Sequence, residues 1–207
     1  MEKYSDMNEN ARDVLTEIGN IGTGNAVTSL SQMLARQIDM ERPVVRISEF
    51  QEVPELLGGT EEVRVGVLLE IGGDINGMFM FLISEPFLKI MLKGLTGSEA
   101  EDICELDPFH LSAVGEIGNI MCCSYINALT KLMDIKVHVS VPDICVDMIG
   151  AILSVPMIHF ASMSDELLLI EDRYHFGDTS VVSHVLFLPE LDSLRRIFHA
   201  LGEDYEQ

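Results

Sequence analysis

The chain has 207 residues, and 47% of them are apolar, enough to build a packed core and to exclude a disordered tail. Its 13 Lys and Arg stand against 34 Asp and Glu, for a formal net charge of −21. That balance excludes the phosphate backbone of a nucleic acid and an anionic membrane surface as partners, and favours a partner that presents Lys or Arg at the contact.

The opening residues, MEKYSDMNENARD, hold no apolar segment and read as no secretory signal. No uncharged apolar run reaches the roughly 18 residues of a membrane span. A cytoplasmic protein without membrane insertion is expected. Residues 9–36 place Val14, Leu15, Ile18, Ile21, Leu30, Met33 and Leu34 on one face of a long helix. Pro43 follows it. Two strand-like runs come next, EEVRVGVLLEI and GMFMFLI, separated by GGDIN. Pro86 then leads a short helix, FLKIMLKGL.

The acidic stretch that follows reads as a connection. Asp107 is placed to cap, and Pro108 to open, a second long helix over 108–134, with Leu111, Val114, Ile117, Ile120, Ile126, Leu129 and Leu132 on its inner face. Pro142 follows. The strand-like runs ELLLIEDRYHF and SVVSHVLFL flank GDT, and Pro189 leads ELDSLRRIFHAL. The order helix, proline, strand, strand, helix therefore occurs twice.

The expected fold is α/β (α+β). It is a single domain over 1–207, made of two pseudo-symmetric repeats that share one β-sheet, with two long equivalent helices on the surface. Repeat 1 covers about 9–97, the linker about 98–107 and repeat 2 about 108–203, and each half alone is small for a stable core. The halves differ most at residues 143–160, DICVDMIGAILSVPMIHF, which are strongly apolar.

EIGNI occurs at Glu17 to Ile21 and again at Glu116 to Ile120. Glu17 and Asn20 share a helix face, which Asp13 extends by a turn; Ser112, Glu116 and Asn119 do the same on the second helix. Gly19 and Gly118 lie beside these stripes. Each Gly costs about 0.8–1 kcal/mol in a helix relative to Ala, and Asn is also a poor helix former. Two readings stay open. The stripes are ordinary solvated surface and the glycines serve packing, or the stripes are functional and persist while their surroundings change: Gly22, Gly24 and Ala26 correspond to Met121, Cys123 and Tyr125.

The chemistry available is limited. No Ser, Cys or Lys nucleophile is paired with a base, and neither a His-Glu-x-x-His motif nor a P-loop occurs. The six histidines are scattered. Cys104, Cys122, Cys123 and Cys145 form no Cys-x-x-Cys pair and read as buried, reduced thiols rather than a metal site or disulfide. No metal or other cofactor of its own is expected. An amide is no general base, but it can hold a water with its acceptor and donor atoms. A substrate that carries an activated phosphoryl group and its own metal needs little more than positioning.

The pattern Asp/Ser-x-x-x-Glu-x-x-Asn, with Pro after a further twenty-two residues, reads Asp13, Glu17, Asn20, Pro43 and again Ser112, Glu116, Asn119, Pro142. In this the chain resembles the CheC family of chemotaxis phosphatases, whose relatives include CheX and FliY. Two intact copies make it most like the CheC type. The resemblance spans nearly the whole chain. It implies that Asn20 and Asn119 orient a water against the aspartyl phosphate of phosphorylated CheY, and that Glu17 and Glu116 pair with a lysine of CheY, with Mg2+ held by CheY. It also implies binding of the receptor deamidase CheD through VDMIGAI, residues 146–152, with Asp147 as its polar member. Asp147 reads equally as a helix cap or a surface charge. The competing function is a non-catalytic interaction module of the flagellar switch, of the FliM kind, which has no need of the Glu–Asn pair.

Overall fold

A computed structural model describes residues 8–98, 100, 102–160 and 165–200. The opening seven residues, parts of the linker and the end of the second repeat lie outside the described residues. Helix α1 spans Glu9–Met33, and a sheet strand lies on each side of Pro43: β1 (Asp39–Met40) and β2 (Val44–Glu49). The short α2 (Val53–Leu56), the hairpin β3 (Val63–Gly73) and β4 (Gly77–Ile83), and α3 (Glu85–Thr96) complete the first half. After one 3-10 turn at Ile103–Glu105 come α4 (Pro108–Met133), β5 (Val137–Val139), β6 (Asp143–Met148), α5 (Ile149–Phe160), the hairpin β7 (Glu166–Phe176) and β8 (Thr179–Pro189), and α6 (Leu191–Ala200). Asp107 caps α4 by accepting the N–H of His110 at 2.8 Å, with Pro108 in the first turn. That bond holds the Asp107 carboxyl below the ordinary carboxylate range.

One antiparallel eight-stranded sheet runs β1-β7-β8-β4-β3-β5, with β2 also on β7 and β6 also on β3. The pairing crosses between halves. β2 lies on β7 from Val44 opposite Glu171 to Glu49 opposite Glu166, and β6 lies on β3 from Val63 opposite Met148 to Leu68 opposite Asp143. β4 and β8 join at the centre, with Phe79 opposite Phe187. Neither half has its complete sheet without the other. The two strands expected in each half are present, and four more are added. β1 and β5 are too short to leave a sequence signal, and β2 and β6 are edge strands with little apolar contrast.

Strand alternation sorts the core into two layers. Val65, Val67, Leu69, Phe79, Phe81, Leu168, Ile170, Val185 and Phe187 face α1, α3, α4 and α6. Met78, Met80, Leu82, Leu167, Leu169, Leu186 and Leu188 face the opposite way, onto Phe50 and Val53 near α2 and onto Ile149, Ile152, Leu153 and Phe160 of α5. The divergent segment 143–160 is thus an edge strand followed by a three-turn helix, where the first half has a single turn.

A buried polar cluster ties the two long helices to the sheet. Asp172 of β7 is fully buried. It accepts from Thr23 Oγ1 of α1 at 2.7 Å and from the Tyr125 hydroxyl of α4 at 2.5 Å. Burial raises its pKa from 3.8 to about 6, against the lowering effect of those hydrogen bonds. Between these values the folded chain binds the proton more tightly than the unfolded chain. This group's contribution to stability therefore falls as the pH rises from about 4 to about 6. Asp172→Asn is expected to remove that component, so that the urea midpoint at about pH 6 less that at about pH 4 rises relative to the parent. A difference equal to that of the parent would show that Asp172 does not titrate there.

Candidate active site

The helix surface divides EIGNI into two parts. Ile18 and Ile117 are buried, and Gly19 and Gly118 lie against the sheet. A Cβ on Gly118 would overlap the side chain of Val67 on β3, and one on Gly19 would stand 3.0 Å from Val45 of β2 and 3.8 Å from Pro43. These glycines allow close helix-to-sheet approach, so the packing reading holds for them. Glu17 and Glu116 are exposed on the outer face, as are Asp13 and Ser112, while Asn20 and Asn119 are half-buried at the foot of each stripe. Pro43 is buried beside Gly19, and Pro142 is half-buried at the start of β6.

Gly22 and Gly24 separate the same two roles. Gly22 lies flat on the Tyr125 ring at the α1–α4 contact, whereas a Cβ on Gly24 would meet nothing within 4 Å. Gly24 falls on the stripe face, four residues after Asn20. Gly24→Ala should stabilise the fold by about 0.5–1 kcal/mol through helix propensity. Gly118→Ala should destabilise it by about 1–3 kcal/mol through overpacking, net of that gain. Urea unfolding of both variants checks the pair; equal shifts would mean that the close approach at Gly118 is not limiting.

The two amides are held differently. Asn20 donates through Nδ2 to Glu17 Oε2 at 3.3 Å, so its oxygen is not used in that bond. Asn119 Oδ1 accepts from the Cys123 thiol at 3.3 Å. Cys123 takes the place of Gly24 in the second half, a contact that aligned spacing alone did not reveal. Burial, with Glu116 nearby, raises the Cys123 pKa and keeps it a thiol. Cys122 is buried as expected, but Cys104 and Cys145 are exposed, because the 3-10 turn and the β6 edge place them at the surface. Among the described residues no group of three or more His, Cys, Asp and Glu is placed to hold a metal. No helix among them is long and apolar enough to cross a membrane.

Two further surfaces stand out. A groove of about 440 Å³ lies between α1, β2 and α2, lined by Arg12, Leu15, Arg46, Ile47, Glu52 and Leu168 among others. On the other face of the sheet, Asp147 is an exposed residue of β6 and accepts the N–H of Met148 at 2.7 Å, just before α5 begins. Beyond it Met148, Ala151, Val155 and Ile158 recur at helical spacing and are all exposed, Ile158 to 78%. This is an outward apolar stripe on a helix whose inner side is already packed.

One antiparallel sheet thus carries two long helices, each with an outward carboxylate–amide pair. Solved structures share the fold: FliY of Thermotoga maritima, with TM-score 0.74, 23% identity and coverage of 95% of this chain and 98% of that one, and the FliM middle domain of H. pylori, with TM-score 0.68, 9% identity and coverage of 94% and 99%. The chain belongs to the CheC-like family, whose model matches residues 11–47 and 109–146. It is 31% identical over 210 residues to the CheY-P phosphatase CheC of Bacillus subtilis (strain 168), covering 98% of this chain and 99% of that protein. The two matched segments contain both Glu–Asn pairs and both flanking prolines.

Proposed function

We propose that this chain is a cytoplasmic phosphatase of the aspartyl phosphate of CheY, with one site on each long helix. The observation that carries the reading is the outward Glu–Asn pair on α1 and again on α4, held on helices whose Gly19, Gly118, Ile18 and Ile117 serve the core. Glu17 or Glu116 pairs with a lysine of docked CheY and fixes its orientation. Asn20 or Asn119 holds a water in line with the phosphorus. The water oxygen bonds to phosphorus as the bond to the aspartyl oxygen breaks, releasing inorganic phosphate and a free carboxylate, while the water proton passes to the phosphate and solvent. CheY carries the Mg2+ that stabilises the leaving carboxylate and the phosphoryl oxygens, and the chain brings no metal or cofactor of its own. Catalysis is then positioning of a reactive anhydride.

CheD is the second partner in this reading, docked on Asp147 and the apolar stripe of α5. The likeness to the FliM middle domain supports an alternative, a non-catalytic module of the flagellar switch. The decay of phosphorylated CheY with and without this chain separates the two: acceleration identifies the phosphatase, and an unaltered rate with intact binding identifies the module.

A further inference from the structure

The two stripes match, but the grooves beside them do not. Beside the first stripe, Arg12 of α1 and Arg46 of β2 line the groove of about 440 Å³ over an apolar floor that includes Leu15, Ile47 and Leu168. Arg12 is exposed and makes no side-chain hydrogen bond or ion pair among the described residues. Arg46 stands 3.7 Å from Glu171 with its side chain 46% exposed, a loose and part-solvated pair. Glu52 lines the same groove and offsets part of this charge.

Ninety-nine residues on, the positions of Arg12 and Arg46 hold Leu111 and Cys145, that of Ser48 holds Asp147, and that of Glu52 holds Ala151. Both cations are gone and a carboxylate has appeared. In a chain with 13 Lys and Arg against 34 Asp and Glu, two arginines beside Glu52 and Glu171 make this groove less negative than the rest of the surface. Arg12 is five residues before Glu17, on the flank of the stripe that faces β2. A protein docked on the first stripe lies beside the groove; the same protein docked on the second stripe meets neither cation at the matching positions.

We propose that the Arg12–Arg46 groove takes a carboxylate-bearing segment of the phosphoprotein docked on α1, so that the first site binds its substrate by charge and the second does not. The inference rests on the phosphatase reading and adds a specificity determinant to one of its two sites. Exposed charge pairs act through encounter and affinity and are screened by salt. The first site is therefore the salt-sensitive one. Its advantage is largest at low ionic strength, where charge interactions are least screened.

The test uses two backgrounds, Asn119→Ala to leave the first site and Asn20→Ala to leave the second, each with and without Arg12→Gln and Arg46→Gln together. CheY-P decay is measured against CheY concentration at low and at physiological salt. In the Asn119→Ala background the arginine changes should raise KM about three- to tenfold at low salt, leave kcat unchanged and flatten the salt dependence. In the Asn20→Ala background they should move neither constant. An equal KM shift in both backgrounds, no shift in the first, or a shift in kcat alone would overturn the assignment. If no protein in the set accelerates decay, the phosphatase reading itself has failed. Titration of the protein carrying Glu116→Ala and Asn119→Ala with CheY carrying beryllofluoride, an unhydrolysable phosphoryl analogue, then decides the groove alone: weaker binding on losing the arginines supports it, and unchanged binding overturns it.

Discussion

Replacing both Asn20 and Asn119 by alanine should return the decay of phosphorylated CheY to the rate of CheY by itself, while either replacement alone leaves part of the acceleration. Each amide is placed on its own helix and held by its own neighbour, Glu17 for Asn20 and Cys123 for Asn119. Removing one group that orients a reactant or stabilises its charge costs about a hundredfold or more in kcat at that site. Loss of fold does not account for such a result. Neither Asn makes a side-chain bond to the sheet among the described residues, and alanine is the better helix former. The glutamates should behave differently. In the proposed mechanism Glu17→Ala and Glu116→Ala remove an exposed carboxylate that orients the partner, so KM should rise more than kcat falls. A double Asn variant with full activity would end the water-orienting mechanism, and a single variant with none would end the independence of the sites.

The long helices, the two hairpins and the outward stripes were legible because each rests on a strong period: Ile18 and Ile117 inward with Glu17 and Glu116 outward, and alternating strands in VRVGVLLEI and ELLLIEDRYHF. The cross-pairing of β2 with β7 and of β6 with β3 was not, because register between distant strands is set by sheet closure and not by local pattern. The glycines were ambiguous in one dimension. Only the sheet shows that Gly118 meets Val67 while Gly24 meets nothing. Asp172 did leave a signal: it breaks the inward row Leu168, Ile170, Tyr174, Phe176, and a lone carboxyl in such a row needs buried partners. The arginine groove left none, since Arg12 and Arg46 are far apart in sequence and each reads alone as solvated surface.

Reversing the charge of Asp147 to lysine, or placing a charge in the α5 stripe with Val155→Asp, should weaken CheD binding by about 2 kcal/mol or more, about thirtyfold in Kd. The halves diverge at this edge of the sheet. The first half closes its edge with a four-residue helix, α2, whereas the second spends twelve residues on α5. Ile149, Ile152, Leu153 and Phe160 of α5 fill the second core layer, so packing accounts for its inner side. It does not account for Met148, Val155, Met157 and Ile158, which stay exposed on its outer side. An apolar stripe of this spacing suits a partner groove, and one charge at its foot sets register and excludes wrong partners. Because these residues leave the core untouched, neither change should lower the thermal midpoint appreciably. Asp147 and Val155 belong to neither Glu–Asn stripe, so the rate of CheY-P hydrolysis without CheD should be retained. Calorimetric titration with CheD, run beside the phosphate-decay assay on the same variants, reads both quantities. Normal CheD affinity in both variants would remove the interface from α5. Loss of affinity together with activity and thermal midpoint would show that the outer side of α5 carries fold stability instead.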